Sequence, residues 1–403
     1  MAPGSNPPPP PNASLSPHPH PPTPRPHPAT PPHPQTSYEG IKGEKPGYGA
    51  MYGFDHIHWW VGNAKQAAEW YVARFGFAPV AYKGLETGSR SVVSHVVRMA
   101  DIYFVFSSQL NPTATAEHGD DMGAHLAKHG DGVRDVAFTV ADCRAIYASA
   151  VSRGAVSVQE PVELTDEGGT VVMATVRTYG DTLHSFVERR GYKGVFLPGF
   201  RAVTKVDPLA SITPPVGLYR VDHVVGNQPD AAMVPVATWY ETVLQFHRFW
   251  TVDDSQIHTA YSSLRSIVVA DYDEIVKMPI NEPAKGLRKS QIQEYVDYYG
   301  GAGVQHIALQ TDDILHAITQ LVARGVEFLK VPDTYYDALK VRLARASIKV
   351  KEDLEAIRRL HILVDFDDKG YLLQLFTAPL MDRPTVFIEI IQRAGVRGVW
   401  GRG

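Results

Sequence analysis

The sequence predicts an α+β chain of two similar halves. A unit read as strand, loop, amphipathic helix and strand occurs twice, its landmarks keep their spacing, and a glycine- and proline-rich stretch divides the copies. Phe54-Asp55-His56-Ile57, Gly62-Asn63, Trp70-Tyr71 and Phe75-Gly76-Phe77 return as Val221-Asp222-His223-Val224, Gly226-Asn227, Trp239-Tyr240 and Leu244-Gln245-Phe246. A second echo pairs the segment from Gly132 to Phe138, with a helix ending at Arg153-Gly154, to the segment from Gly303 to Leu309, with a helix ending at Arg324-Gly325. His56 lies 79 residues before Asp135, and His223 lies 83 before His306.

Taken in chain order, residues 1–36 come first and stand apart. They hold 16 of the 31 prolines, interleaved with His18, His20, His27 and His33. Proline removes backbone donors and fixes φ, so this stretch cannot build a packed core and is expected to be disordered or polyproline II. Its histidines read as solvated residues of a low-complexity tail, because nothing holds them at ligand geometry. Arg25 is the one arginine there and no helical period is present, which argues against a transit peptide. The first half is then expected over residues 50–190 and a linker over 191–215, where Gly191, Gly194, Pro198, Gly199, Pro208, Pro214 and Pro215 cluster. The second half is expected over 216–393.

Composition bounds the function. A chain of 403 residues with 44% hydrophobic content can bury two medium cores. A net charge of −4 gives no basic field for nucleic acid or anionic lipid, and no apolar run reaches the roughly 18 residues that span a bilayer. One cysteine, Cys143, excludes an intramolecular disulfide and a cysteine-based zinc or iron-sulfur site. A soluble protein of a reducing compartment, the cytoplasm, is the expectation.

Three polar residues sit mid-run in β-patterned segments of the second half: His223 in Tyr219–Val225, His306 in Gly303–Leu309, and Glu389 in Thr385–Ile391. Side chains alternate faces along a strand, so His306 shares a face with Val304 and Ala308, and Glu389 with Phe387 and Ile391. A carboxylate in such surroundings costs several kcal/mol unless it is paired or metal-bound. Two histidines and a carboxylate form the ligand type of non-haem Fe(II) oxygenases. Taken singly, each histidine also reads as a hydrogen-bonded core residue and Glu389 as solvent-facing. The first half has Asp135 where the second has His306. After its last strand, with His184 and Glu188, no counterpart of the Phe387–Glu389 strand is evident. It reads as a structural module, with the metal in the second half.

Longer stretches then add a resemblance. Trp60–Ala68, Gly84–Arg90, His129–Gly132, Asp222–Asp230, Tyr261–Ser266, Pro279–Pro283, Ser290–Tyr295 and Gly301–His306 are similar to the 4-hydroxyphenylpyruvate dioxygenase family of the vicinal oxygen chelate superfamily, over roughly residues 50–393. The resemblance implies two tandem open β-barrels built of repeated βαβββ modules, with one Fe(II) per chain in the C-terminal barrel on His223, His306 and Glu389. It implies oxidation of 4-hydroxyphenylpyruvate by O2 to homogentisate and CO2, in tyrosine and phenylalanine catabolism, by a homodimer. Ser266, Asn281, Gln291, Gln305, Gln374 and Phe376 match positions lining the family's substrate pocket. Gln374 and Phe376 alternate with Leu373 and Leu375 and would point inward, whereas a strictly regular strand would turn Gln305 away from the iron. A hydroxymandelate synthase would share the ligands and substrate but oxidise the benzylic carbon; Phe376 matches the dioxygenase pattern at the position that steers this choice. After Arg393 the family continues into a C-terminal helix that closes the site. Here residues 394–403 carry four glycines and no helical period, so a lid-less form is expected, and a catalytically dead binding or regulatory paralogue is the alternative of a different class.

Overall fold

The computed structural model describes residues 42–111, 121–204, 207–252, 258–259, 262–284 and 289–395. The Pro/His-rich stretch 1–36 and the divergent residues 396–403 lie outside these. Described elements of the first half are β1 (Met51–Trp60), α1 (Ala64–Phe75), β2 (Ala78–Lys83), β3 (Val92–Met99), β4 (Ile102–Gln109), α2 (Met122–His129), β5 (Gly132–Val140), α3 (Cys143–Ser152), β6 (Ser157–Asp166), β7 (Gly169–Arg177), β8 (Leu183–Arg189) and β9 (Arg201–Ala202). The second half has β10 (Leu218–Asn227), α4 (Met233–Val243), β11 (His247–Val252), β12 (His258–Thr259), β13 (Ser262–Ala270), β14 (Lys277–Pro283), α5 (Gln291–Tyr299) and β15 (Gly303–Thr311). It continues with α6 (Ile314–Ala323), α7 (Asp333–Ala344), α8 (Leu354–Arg359), β16 (Leu363–Phe366), β17 (Tyr371–Phe376) and β18 (Phe387–Ala394).

The strands form two nine-stranded sheets, one per half: β6-β7-β8-β5-β1-β4-β3-β2-β9, and β11-β13-β14-β10-β15-β18-β17-β16 with β12 paired to β13. Each sheet is two βαβββ modules side by side. Within a module the first and last strands are parallel neighbours, β1 with β4, β5 with β8, β10 with β14 and β15 with β18. The modules then join through antiparallel pairs at the centre, β1 with β5 and β10 with β15. This is the tandem half-barrel fold the resemblance implied.

The repeat extends to details. The helices α3 and α6 start on Asp142 and Asp313, whose carboxylates accept the backbone N–H of Ala145 and His316 at 2.9 Å. α1 buries Ala64, Ala68, Tyr71, Val72 and Phe75 at helical spacing and ends on Gly76, whose φ of 77° suits a residue without Cβ. The sequence expectation fails at one point. β8 is the first-half counterpart of β18: Asp135 pairs with Leu183 as His306 pairs with Phe387, so Ser185 stands where Glu389 stands. A serine leaves no trace in a hydrophobic pattern, and the match was therefore not evident. α7 and α8, between α6 and β16, have no first-half equivalent among the described residues.

The halves meet through packed side chains, and buried polar contacts join them, among them one made by His184. His184 of β8 gives its Nδ1–H to the Val136 carbonyl at 2.9 Å, leaving Nε2 to accept the Tyr240 hydroxyl of α4 at 2.7 Å. Tyr240→Phe would strand that nitrogen, at a cost of ~1–3 kcal/mol in urea unfolding. Burial pushes the His184 imidazole down to about 4. Below the ordinary histidine value the unfolded chain takes up a proton that the folded chain refuses, so stability should decline from about pH 6.5 to pH 4. His184→Gln should flatten that part of the profile; an unchanged slope would show that His184 is not the group responsible.

Candidate metal centre

Three adjacent strands carry the candidate ligands. His223 on β10 lies opposite Ala308 on β15, and Ala308 lies opposite Glu389 on β18, so the two side chains flank one row of the sheet. His306 sits two residues back along β15. The ligand atoms lie within 4.8 Å of one another, and the residues are 0%, 2% and 0% exposed. Glu389 Oε2 is 3.1 Å from His223 Nε2 and 3.2 Å from His306 Nε2. About 3 Å is also the separation of two atoms that each lie about 2.1 Å from a common ion at right angles.

The outer nitrogens are already committed. His223 Nδ1 is 2.8 Å from Asp222 Oδ2, and His306 Nδ1 is 2.9 Å from Gln305 Oε1, so each Nδ1 carries the proton and each Nε2 presents a lone pair inward. Despite the short separations, His223 Nε2, His306 Nε2 and both Glu389 oxygens lack a hydrogen-bond partner of acceptable angle. Four orphaned acceptor atoms converging in a dry space fit a divalent cation, and the donor set is that of a facial triad. Electrostatics are consistent with a shared positive charge at this point. Burial alone raises the Glu389 carboxyl, and positive charge on the facing His223 and His306 draws it down to about 2; a cation on their inner nitrogens would supply that charge in place of ring protons. Burial also opposes the ionised Asp222, and Arg393 overrides it, holding the carboxyl well below its usual range.

Two β-bulges bring these supports into place. On β10 the register skips from Val221 to His223, making Asp222 the extra residue; on β15 it skips from Val304 to His306, making Gln305 the extra one. Strict alternation would turn Gln305 away from His306, and the bulge turns it back. Arg393, at the far end of β18, grips Asp222 through Nε at 2.8 Å and Nη2 at 2.6 Å. Asp222 and Arg393 belong to the site and were missed in the sequence, because their link spans 171 residues and rests on the bulge.

The remaining expected residues fall into three groups. Phe376 on β17 pairs directly with Glu389 and places its ring edge-on to His306 at 5.8 Å, while Phe387 stacks on His306 at 4.9 Å. Gln374 is buried; its Nε2 donates to Asp365 Oδ2 at 2.8 Å and its Oε1 has no partner. Burial is the main cause that lifts the Asp365 carboxyl to about 6. Ser266 and Asn281 are paired across β13 and β14, and Asn281 is paired to Asn227 across β10. Ser266 Oγ, Asn281 Oδ1 and both amide atoms of Asn227 are buried without partners, so Asn227 joins the expected set. Gln291 is exposed in the first turn of α5 and is not drawn into this cluster.

Residues 55–173 and residues 220–375 match the Glyoxalase/Bleomycin resistance protein/Dioxygenase superfamily. The 4-hydroxyphenylpyruvate dioxygenase of Danio rerio is 60% identical over 359 residues, 89% of each chain. That of Aspergillus fumigatus is 58% identical, covering 86% of this chain and 88% of its own, and that of Tetrahymena thermophila is 56% identical, covering 88% of each. Among solved structures, a mutant of 4-hydroxymandelate synthase from Streptomyces coelicolor superposes with a TM-score of 0.73 at 28% identity, covering 86% of this chain and 94% of that one.

Asp222→Asn should weaken metal binding about 10- to 100-fold, because His223 loses the group that orients it. It also leaves Arg393 buried without its partner, which should cost on the order of 3–5 kcal/mol. Competition against a chelator checks the first and denaturant unfolding the second. Glu389→Ala should abolish tight binding, and His56→Ala should leave it unchanged; stoichiometric tight metal in the Glu389→Ala protein would overturn this ligand set.

Proposed function

Because the chain belongs to the 4-hydroxyphenylpyruvate dioxygenase family, we propose that it converts 4-hydroxyphenylpyruvate and O2 to homogentisate and CO2, using Fe(II) held by His223, His306 and Glu389. The observation that carries this reading is the buried set of orphaned Nε2 and carboxylate atoms in the second sheet. Fe(II) bound there supplies the oxygen-activating chemistry of the reaction.

The chain's own residues bind, orient and exclude. Asp222, anchored by Arg393, keeps the His223 proton on Nδ1, and Gln305 does the same for His306. Phe376 and Phe387 wall the centre with apolar rings, which hold an aromatic substrate in place and keep bulk water from it. Gln374, with its Nε2 tied to Asp365, keeps Oε1 as an acceptor for a substrate hydroxyl. Ser266, Asn281 and Asn227 supply further buried polar atoms for the substrate's polar end. No protein nucleophile is required. The family resemblance also supports a homodimer and a place in aromatic amino-acid breakdown in the cytoplasm, where the single buried thiol of Cys143 suits reducing conditions.

The test is anaerobic loading with Fe(II), addition of 4-hydroxyphenylpyruvate and O2, and separation of the products. Homogentisate equal to the oxygen consumed is the expected result. 4-Hydroxymandelate would instead assign the benzylic oxidation of the synthase neighbour, and no oxygen uptake by a fully iron-loaded protein would overturn an oxygenase reading altogether. Phe376→Ala should lower homogentisate per oxygen without lowering bound iron.

A further inference from the structure

The first sheet encloses a cavity of about 480 Å³ at the place that corresponds, by the repeat, to the metal centre of the second. Register makes the correspondence residue by residue. Ser94 and Ser107 face each other across β3 and β4 as Ser266 and Asn281 do across β13 and β14. Thr175 pairs with Ser185 as Phe376 pairs with Glu389. Arg134 is the extra residue of a bulge on β5 as Gln305 is on β15. The ligand positions themselves now hold His56, Asp135 and Ser185.

These replacements take away the two-histidine, one-carboxylate set and leave a polar, cationic pocket. Ser185 donates to Asp135 Oδ2 at 2.5 Å and lies 2.8 Å from the Thr175 hydroxyl, so the carboxylate is held without an ion. On the other wall, Ser107 Oγ lies 2.7 Å from both Ser94 Oγ and His58 Nε2. Asp135 Oδ1, on a residue only 6% exposed, has no partner in the protein. Two cations line the same cavity, Arg134 stacked over Trp60 at 4.6 Å and Lys83 over Phe200 at 5.7 Å, and Asp135 is the one carboxylate among the described residues that line it. Val105, Met173, Leu183 and Phe196 supply an apolar body to the space. Lys83, Ser89 and Gln159 are partly exposed and mark a way in.

We infer that this first-half cavity is a second small-molecule site, which takes an aromatic carboxylate bearing a hydroxyl group. The anionic end matches Lys83 and Arg134, the ring matches the apolar wall, and the hydroxyl donates to Asp135 Oδ1. The volume falls within the 300–1,000 Å³ usual for ligand pockets. The site needs no metal and is independent of the reaction assigned to the second half.

The probe is 4-hydroxyphenylacetate, which has the ring, hydroxyl and carboxylate and lacks a 2-oxo group, titrated calorimetrically into the full metal-free chain. Saturable binding is expected, weakened at least tenfold by Lys83→Glu and also weakened by Asp135→Asn, and unchanged in Glu389→Ala. Near-ultraviolet circular dichroism checks that each variant is folded, and Lys83→Met gives a neutral second variant at a partly exposed position. Absence of saturable binding to the wild type, or equal affinity in the folded Lys83 variants, would overturn the site. Binding lost in Glu389→Ala but kept in Lys83→Glu would place the probe in the second half and overturn it as well.

Discussion

One ion pair holds the second sheet in the shape that the metal centre needs. Asp222 on β10 and Arg393 on β18 are not on neighbouring strands; β15 lies between them, and the pair reaches across it. The contact is nearly dry, with side chains 3% and 9% exposed. At such burial, loss of either partner leaves a charge that neither water nor protein answers. The pair therefore fixes the distance between two outer strands while the third carries His306. It also hands the Asp222 carboxylate to His223 and so sets which nitrogen of that ring faces inward.

The first half keeps the same device with a different outcome. Asp55 bridges His56 and Arg189 across β5, with Arg189 Nε and Nη2 at 2.9 and 2.8 Å. The clamp is thus a property of the frame rather than of metal binding. What separates the halves is the next layer. Ser185 answers one oxygen of Asp135 and leaves Oδ1 open, whereas His306 Nε2 and both Glu389 oxygens are all unanswered. One frame supports a hydrogen-bonded cluster with a single open acceptor in one copy and an open coordination sphere in the other.

Much of this could be read from residue order, and the misses share a cause. His223, His306 and Glu389 stood out because a polar side chain among β-branched neighbours breaks a simple alternation. The repeat stood out because aromatic and glycine landmarks keep their spacing. Gln305 defied the same alternation because a bulge resets the period, and no local pattern announces a bulge in advance. Ser185 was invisible because a small polar residue fits either face of a strand. Asn227 was seen only as a landmark; that both its amide atoms lack partners depends on β13 and β14, strands far along the chain. Gln291, taken from the family pattern, is instead on the solvent side of its helix.

Arg393 is the next-to-last residue of β18, four residues beyond Glu389. In mechanical terms it is a strain relief, like the grip on a cable just ahead of the connector. Load arriving from later residues is taken up by the guanidinium and its two bonds to Asp222, so it does not reach the carboxylate ligand. A tag or fusion joined downstream would accordingly load the Asp222–Arg393 clamp, and through it the orientation of His223, before it reached Glu389.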